Sequence, residues 1–495
     1  MASHYDIPDK CDDADYKLIR YRDLVPDDHP VRYIDRFLSG VDVSSFETRY
    51  KVGPGQTGRA PKGIRMMLGV ILYGLYDRKY SSRRIDYATE HYSDFWFFTH
   101  GQRISHDKIS EFIDLHEADI HRVFLRTIAL AQQNNLLNFE GLYQDGFYMR
   151  ANASKKRSYN LEGLNKREKK LSGALEAVLK QLQSNEEDET LRETRTRVEK
   201  DLAKISSLKE QLNTKIQKRT QDMLPSKAAS KAEKLTINST DNDSDLMRQK
   251  DESVVNSYLK VCALDAKADI VVGSKTSGHH DEAHMALGLF KGVQDNLQGM
   301  GIYDKVIADA GFTTLENCEA FEKENVQLIG PTRAYEHQVR APEIEKPAAT
   351  FTYDETNHIV HCSTGTVLHE EEKYHDKYRK TTIYVFSNRE ACQRCPLLAK
   401  CTDSKQGYRR VRIDQRLPAQ QRTVEQYQST EGKRLYKKRS HTAETYQGDL
   451  KQNGKFIQLF RRGLRKVMVD SILQDIVWNL RRIFNATQGE IAWNV

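Results

Sequence analysis

Residues Leu142–Lys156 read LYQDGFYMRANASKK. The aromatic and apolar run, bounded by Gly141 and by polar residues, has the make-up of a β-strand. Asp145 lies on it. An aspartate there is an ordinary turn residue, or one of several carboxylates that a sheet gathers around a metal ion. One acid does not decide between these, but the downstream pattern bears on the question. SYLKVCALDA (Ser257–Ala266) and DIVVGSKTS (Asp269–Ser277) read as paired strands. In the stretch that follows, Ala283, Leu287, Phe290 and Val293 share one face of a helix. YDKVIADAG (Tyr303–Gly311) is a short strand that ends at Asp309, TTLENCEAFEKE is helical, and VQLIGPTR is a further strand. Strands and helices in this alternation predict a mixed sheet covered by helices.

Working outward, residues 30–135 carry helical periodicity. The apolar run from Met66 to Tyr76 suits a buried helix and is too short to cross a bilayer. Ser105 is a plausible cap for a helix bearing Ile109, Phe112, Ile113 and Ile120. This module reads either as a helix-turn-helix DNA reader or as a plain bundle. GPGQTGRAP (Gly53–Pro61) is a loop, and residues 1–29 are polar and irregular. The opening MASHYDIPDKCDDADYK shows no secretory signal, so a cytoplasmic protein is expected.

From residue 161 charge dominates. Leu171, Leu175, Val178, Leu179 and Leu182 form one stripe, and Val198, Leu202, Ile205, Leu208, Leu212 and Ile216 another. The polar break QSNEEDET between them predicts a helical hairpin; the alternative is one long dimerising helix. Residues 232–253 read as loop. Of seven cysteines, Cys362, Cys392, Cys395 and Cys401 cluster in an aromatic-rich segment. The two-residue gap in CQRC is a metal-knuckle spacing, and two more thiols would complete a sulfur site for Zn²⁺, with His361 as a substitute ligand. The alternative is four reduced thiols packed together. Cys262 and Cys318 lie on apolar faces and read as core. His279, His280 and His284 read as local polar contacts rather than ligands.

The net charge is +7, but Lys433–Arg482 alone holds 13 Lys/Arg against 4 Asp/Glu. That concentration suits a polyanion such as nucleic acid, or a solvated helical face. Inside it lies YKKRSHTAETYQGDLK (Tyr436–Lys451). Glu444 and Lys451 are seven apart and would share a helical face. An acid set among so many cations, where phosphates are expected, makes sense with a metal ion between.

These stretches together resemble the DDE transposases of bacterial insertion sequences. YKKRSHTAETYQGDLK resembles the Tyr-Arg-Glu-Lys signature of one branch, with one residue more than usual between Arg439 and Glu444. QDGFYMRANASK resembles the first-aspartate strand and VIADAGF the second. FRRGLRKVMVDSILQDIVWNLRRI resembles the closing helix. The resemblance covers about Pro30 to Phe484. It implies an α/β chain with a ribonuclease-H-like mixed sheet flanked by helices, made of residues 136–160, 232–340 and 431–486. An all-α DNA-binding domain (30–135) precedes it, and a helical hairpin (161–231) and a Cys-rich segment (341–430) interrupt it. Asp145, Asp309 and Glu444 would bind Mg²⁺ or Mn²⁺, while Tyr436, Arg439 and Lys451 would contact DNA. The partners implied are double-stranded DNA and a second copy of the chain, in the bacterial nucleoid, with no membrane. A nuclease without strand transfer, or an inactive DNA-binding derivative, would share most of these features.

Overall fold

The computed structural model describes residues 20–48, 62–185, 187–249, 251–280, 282–334, 350–453 and 458–493. Most of the irregular N-terminal segment, the Gly53–Pro61 loop and the start of the Cys-rich segment therefore lie outside the described residues. The chain divides into two units, 1–134 with 472–495, and 135–471. No helix among the described residues is long and apolar enough to cross a membrane.

The first unit is helical: α1 Pro30–Ser39, α2 Ser44–Glu47, α3 Ile64–Tyr76, α4 Ser82–His91, α5 Ser93–Thr99, α6 His106–Leu115 and α7 Glu117–Gln133. Pro30 at the first turn, with His29 Nδ1 accepting from Val31 N, starts α1 where Pro lacks an amide anyway. α3 is the apolar run, buried almost throughout. Asp86 on α4 is buried and accepts from Arg103 Nε at 2.7 Å and His106 N at 3.0 Å, which pins the entry to α6. Ser105 holds the cap position there without a capping side-chain bond. Residues from Ile472 onward return to this unit, where Asn479 Nδ2 donates to Thr127 Oγ1 and Tyr33 Oη to the Leu480 carbonyl.

The second unit is built on a mixed sheet. Its strands are β1 Leu142–Arg150, β4 Asp245–Arg248, β5 Val254–Asp265, β6 Ile270–Ser277, β7 Lys305–Ile307 and β8 Gln327–Ile329. The order is β4-β5-β1-β7-β8, with β6 also paired to β5. β1 runs antiparallel to β5 and parallel to β7, and β7 parallel to β8. Strand β5 is buried along most of its length, as a strand covered on both faces must be. The helices are α11 Glu282–Leu297, α12 Leu315–Lys323, α15 Leu417–Gln428 and α16 Thr430–Gly448, with α17 (Leu464–Thr487) after a π-helical turn at Asp449–Asn453.

Between β1 and β4 stands a two-helix hairpin, α8 Leu161–Ser184 and α9 Glu189–Thr220, followed by α10 Pro225–Lys234. Asn160 and Asp188 cap its helices, so the polar break is a turn and the single-helix alternative falls. The short pair β2 Ser158–Tyr159 and β3 Ile237–Asn238 closes its base, over a cluster of Leu164, Ile205, Leu208, Leu212, Leu235 and Ile237. Residues 232–253, expected as loop, thus contain β3 and β4. Strands of two and four residues are too short to show a period. Residues 351–414 form a separate five-stranded antiparallel meander: β9 Phe351–Asp354, β10 Ile359–Cys362, β11 Val367–Asp376, β12 Thr381–Ser387 and β13 Arg410–Asp414. Small helices α13 Arg389–Gln393 and α14 Leu398–Cys401 link its last two strands.

Candidate active site

Successive residues of β1 point to opposite faces of the sheet. Tyr143 Oη donates to the Leu435 carbonyl of α16 at 3.2 Å, whereas Gln144 Nε2 donates to the Ala286 carbonyl of α11 at 3.2 Å. The two helices therefore cover opposite faces, and Asp145 lies on the α16 side. The parallel register pairs Leu142 with Val306 and Tyr143 with Ile307. Carried two residues on, it sets Asp145 beside Asp309.

Asp145 is buried, with 7% of its surface exposed. Its Oδ1 accepts from Gly146 N at 3.0 Å and Arg439 Nη2 at 2.7 Å, and its Oδ2 from Gln447 Nε2 at 2.7 Å. Asp309 Oδ1 accepts from Gly311 N at 2.8 Å, and Asp309 Oδ2 is 3.5 Å from Arg439 Nη2. A third acid, Glu282 at the start of α11, approaches from the other face. Carboxylate oxygens of Asp145, Glu282 and Asp309 all lie within 4.8 Å of one another. Gly146 makes that approach possible, because a Cβ there would sit 2.9 Å from Glu282 Oε1.

At such distances two carboxylates repel by roughly 3–4 kcal/mol at an effective dielectric of about 20. Burial, then the charges of Asp309 and Asp145, push the Glu282 carboxyl up to about 7, against the pull of Arg439 and Arg333. Burial also raises Asp145, Arg439 opposes, and Asp309 adds to the rise. Burial works against the charge of Arg439, but Asp145 and Asp309 outweigh it and its pKa rises. The Arg439 Nε is buried without a hydrogen-bond partner. One guanidinium is thus set among several acids that it only partly satisfies.

Glu444 stands apart from this group. Its side chain is 57% exposed, and its Oε1 is 3.8 Å from Arg439 Nη1. It lies five positions after Arg439 along α16, with four residues between, which is about 140° around a helix turning 100° per residue. At four residues the two would share a face, but that position is the buried Ala443. Lys451 does not share a regular helical face with Glu444 either, since α16 ends at Gly448 and Lys451 sits in the π-helical turn, its Nζ 5.4 Å from the Phe147 ring centroid. Tyr436 packs edge-on against Tyr427 at 5.0 Å, beside the cluster of Tyr143, Ile307, Ile329 and Leu435. Sequence reasoning missed Glu282. A glutamate in the first turn of a helix is commonplace, because the helix dipole favours it, and the pattern gives no other signal.

In the meander, Cys362, Cys392, Cys395 and Cys401 are unpaired thiols lining one pocket with Phe351, Leu397, Leu398 and Arg409. Thr364 Oγ1 donates to Cys362 Sγ at 3.2 Å, and the Arg409 Nε is buried without a partner. Burial raises the Cys401 thiol, Arg409 lowers it, and the other three cysteines raise it further. His361 does not line the pocket; its Nε2 is 3.9 Å from Asp354 Oδ2. Cys262 and Cys318 are buried in the core. His279 Nδ1 is 3.0 Å from Ser277 Oγ, a local contact, whereas His280 Nδ1 is 2.6 Å from Tyr148 Oη on β1.

The family model "Transposase DDE domain" matches residues 361–484, and "Transposase domain (DUF772)" matches residues 19–115. No curated protein matches. Among solved structures, a chain of a piggyBac transposase synaptic complex with hairpin DNA is similar over 93% of this chain and 76% of that one. Its identity is 12% and its TM-score 0.30, too distant to bear on the argument. The chain thus carries, near its two ends, matches to two transposase models of the kind typical of insertion-sequence transposases.

Proposed function

We propose that this chain is a DNA transposase that binds the ends of an insertion sequence, cleaves the strands and joins them to a target by Mg²⁺- or Mn²⁺-dependent phosphoryl transfer. The observation that carries the reading is the closeness of the carboxylates of Asp145, on β1, and Asp309, just past the end of the adjacent parallel strand β7. The strand order supports a ribonuclease-H-like core, with β1 central, β5 antiparallel on one side, and β7 and β8 parallel on the other.

The residues present fit a divalent cation. The donors are hard carboxylate oxygens, and a guanidinium with an unpartnered Nε stands in among them. Asp145, Asp309 and Glu444 would hold such ions, which supply charge stabilisation to the attacking and leaving oxygens of an in-line displacement. Gln447 and the Gly146 amide fix the Asp145 carboxylate in place. Arg439 and Lys451 would grip phosphates of the transposon end, and Tyr436, packed on Tyr427, would support the same surface. The 30–135 domain would read the terminal repeat, and a second copy would join the first on the DNA.

Asp145→Asn, which keeps the shape and removes the charge, abolishes strand cleavage on this reading while terminal-repeat DNA still shifts in a gel. Full cleavage by that variant overturns the assignment. A nuclease without transfer is separated from a transposase by incubating pre-cleaved ends with target plasmid and scoring joined products.

We also propose that Cys362, Cys392, Cys395 and Cys401 hold a structural Zn²⁺. The shared pocket supports this, and the unpartnered Arg409 Nε beside it suits a site carrying the negative charge of thiolates.

A further inference from the structure

Three observations converge on Glu282, to which the functional reading above gives no task. Its carboxylate is in the compact group with Asp145 and Asp309, whereas Glu444 is more than half exposed and meets those aspartates only through Arg439. Two glycines leave room for it. A Cβ on Gly146 would lie 2.9 Å from Glu282 Oε1, and one on Gly311 would lie 3.0 Å from Asp309 Oδ1 and 3.9 Å from Glu282 Cδ. The group also already holds a cation, the guanidinium of Arg439. That guanidinium bonds Asp145 at 2.7 Å but stands 3.5 Å from Asp309 and leaves its own Nε unpartnered. A guanidinium is planar and directional, while three oxygens from different elements suit a small spherical ion better.

We infer that Glu282 is a ligand of the divalent cation held by Asp145 and Asp309. The inference rests on the transposase reading for the presence of that cation, and it adds a glutamate from α11, on the far side of the sheet from Glu444. Arg439, which bonds Asp145, is then a counter-charge that shares these acids with the cation.

The test is cation binding by the purified full-length protein, with Mn²⁺ followed by electron paramagnetic resonance and thermal melting recorded with and without Mn²⁺. Glu282→Gln weakens Mn²⁺ binding by at least about tenfold. Without Mn²⁺ it melts no lower than the wild type, because a repelling carboxylate is gone, so loss of binding is not loss of fold. It also gains less from added Mn²⁺ than the wild type does. Unchanged Mn²⁺ affinity in Glu282→Gln, alongside lost binding in Asp145→Asn, overturns the role of Glu282 and leaves the cation reading standing. Unchanged affinity in both variants overturns the two together.

Discussion

Asp145 accepts hydrogen bonds from a backbone amide, an arginine and a glutamine, yet its carboxyl is still shifted upward. Burial, with the charge of Asp309 adding to it, decides the sign there. Glu282, pushed up to about 7, carries the same conflict further. A carboxyl whose pKa is higher in the fold than in the unfolded chain stabilises the fold while both states are protonated. That stabilisation is lost as pH rises through the folded value. The metal-free protein should therefore lose stability between about pH 4.5 and 7, and Glu282→Gln should flatten that part of the profile. Denaturant melts at stepped pH check this, and an unchanged slope in the variant counts against the repulsion described at this site. Single residues were also where the sequence was hardest to read. Asp145 and Asp309 stood out because one lies on an apolar strand and the other ends one, whereas Glu282 looked like any first-turn acid.

Elements were more legible than sites. The hairpin followed from two leucine-rich stripes and a polar break, and the paired strands from their apolar runs. What escaped was helical phase. The Arg439–Glu444 spacing differs by one residue from the signature it resembles, and on a helix one residue is 100°, enough to turn Glu444 away from Arg439's acidic neighbours. The π-helical turn beyond Gly448 depends on packing rather than on any marked residue. The hairpin's burial is also uneven. Its base holds Leu164, Ile205, Leu208 and Leu212, while the distal turns bury only Val178 and Val198, worth roughly 2 kcal/mol each. Replacing residues 172–201 with a short Gly/Ser turn should lower the melting temperature by only a few degrees. Loss of folding in that deletion would show that the arm's tip is structural. In the meander, metal analysis of the purified chain should find about one zinc, and Cys395→Ser should lose it and melt earlier. A metal-free wild type removes that proposal.

Across the whole molecule, the alternation of strands and helices announced a mixed sheet, and the helical N-terminal third was equally plain. The return of the last helix was not, because Val477, Leu480 and Ile483 form an apolar stripe that would suit a partner in either unit. Distance along the chain has a further consequence. Arg439 and Gln447 reach Asp145 from about 300 residues downstream, across both the hairpin and the meander. During synthesis the two aspartates are made early and wait for α16. Until residue 447 has cleared the ribosome, a growing chain has neither the arginine nor the glutamine that hold Asp145, so a prematurely released fragment carries the two aspartates without the side chains that fix the first of them.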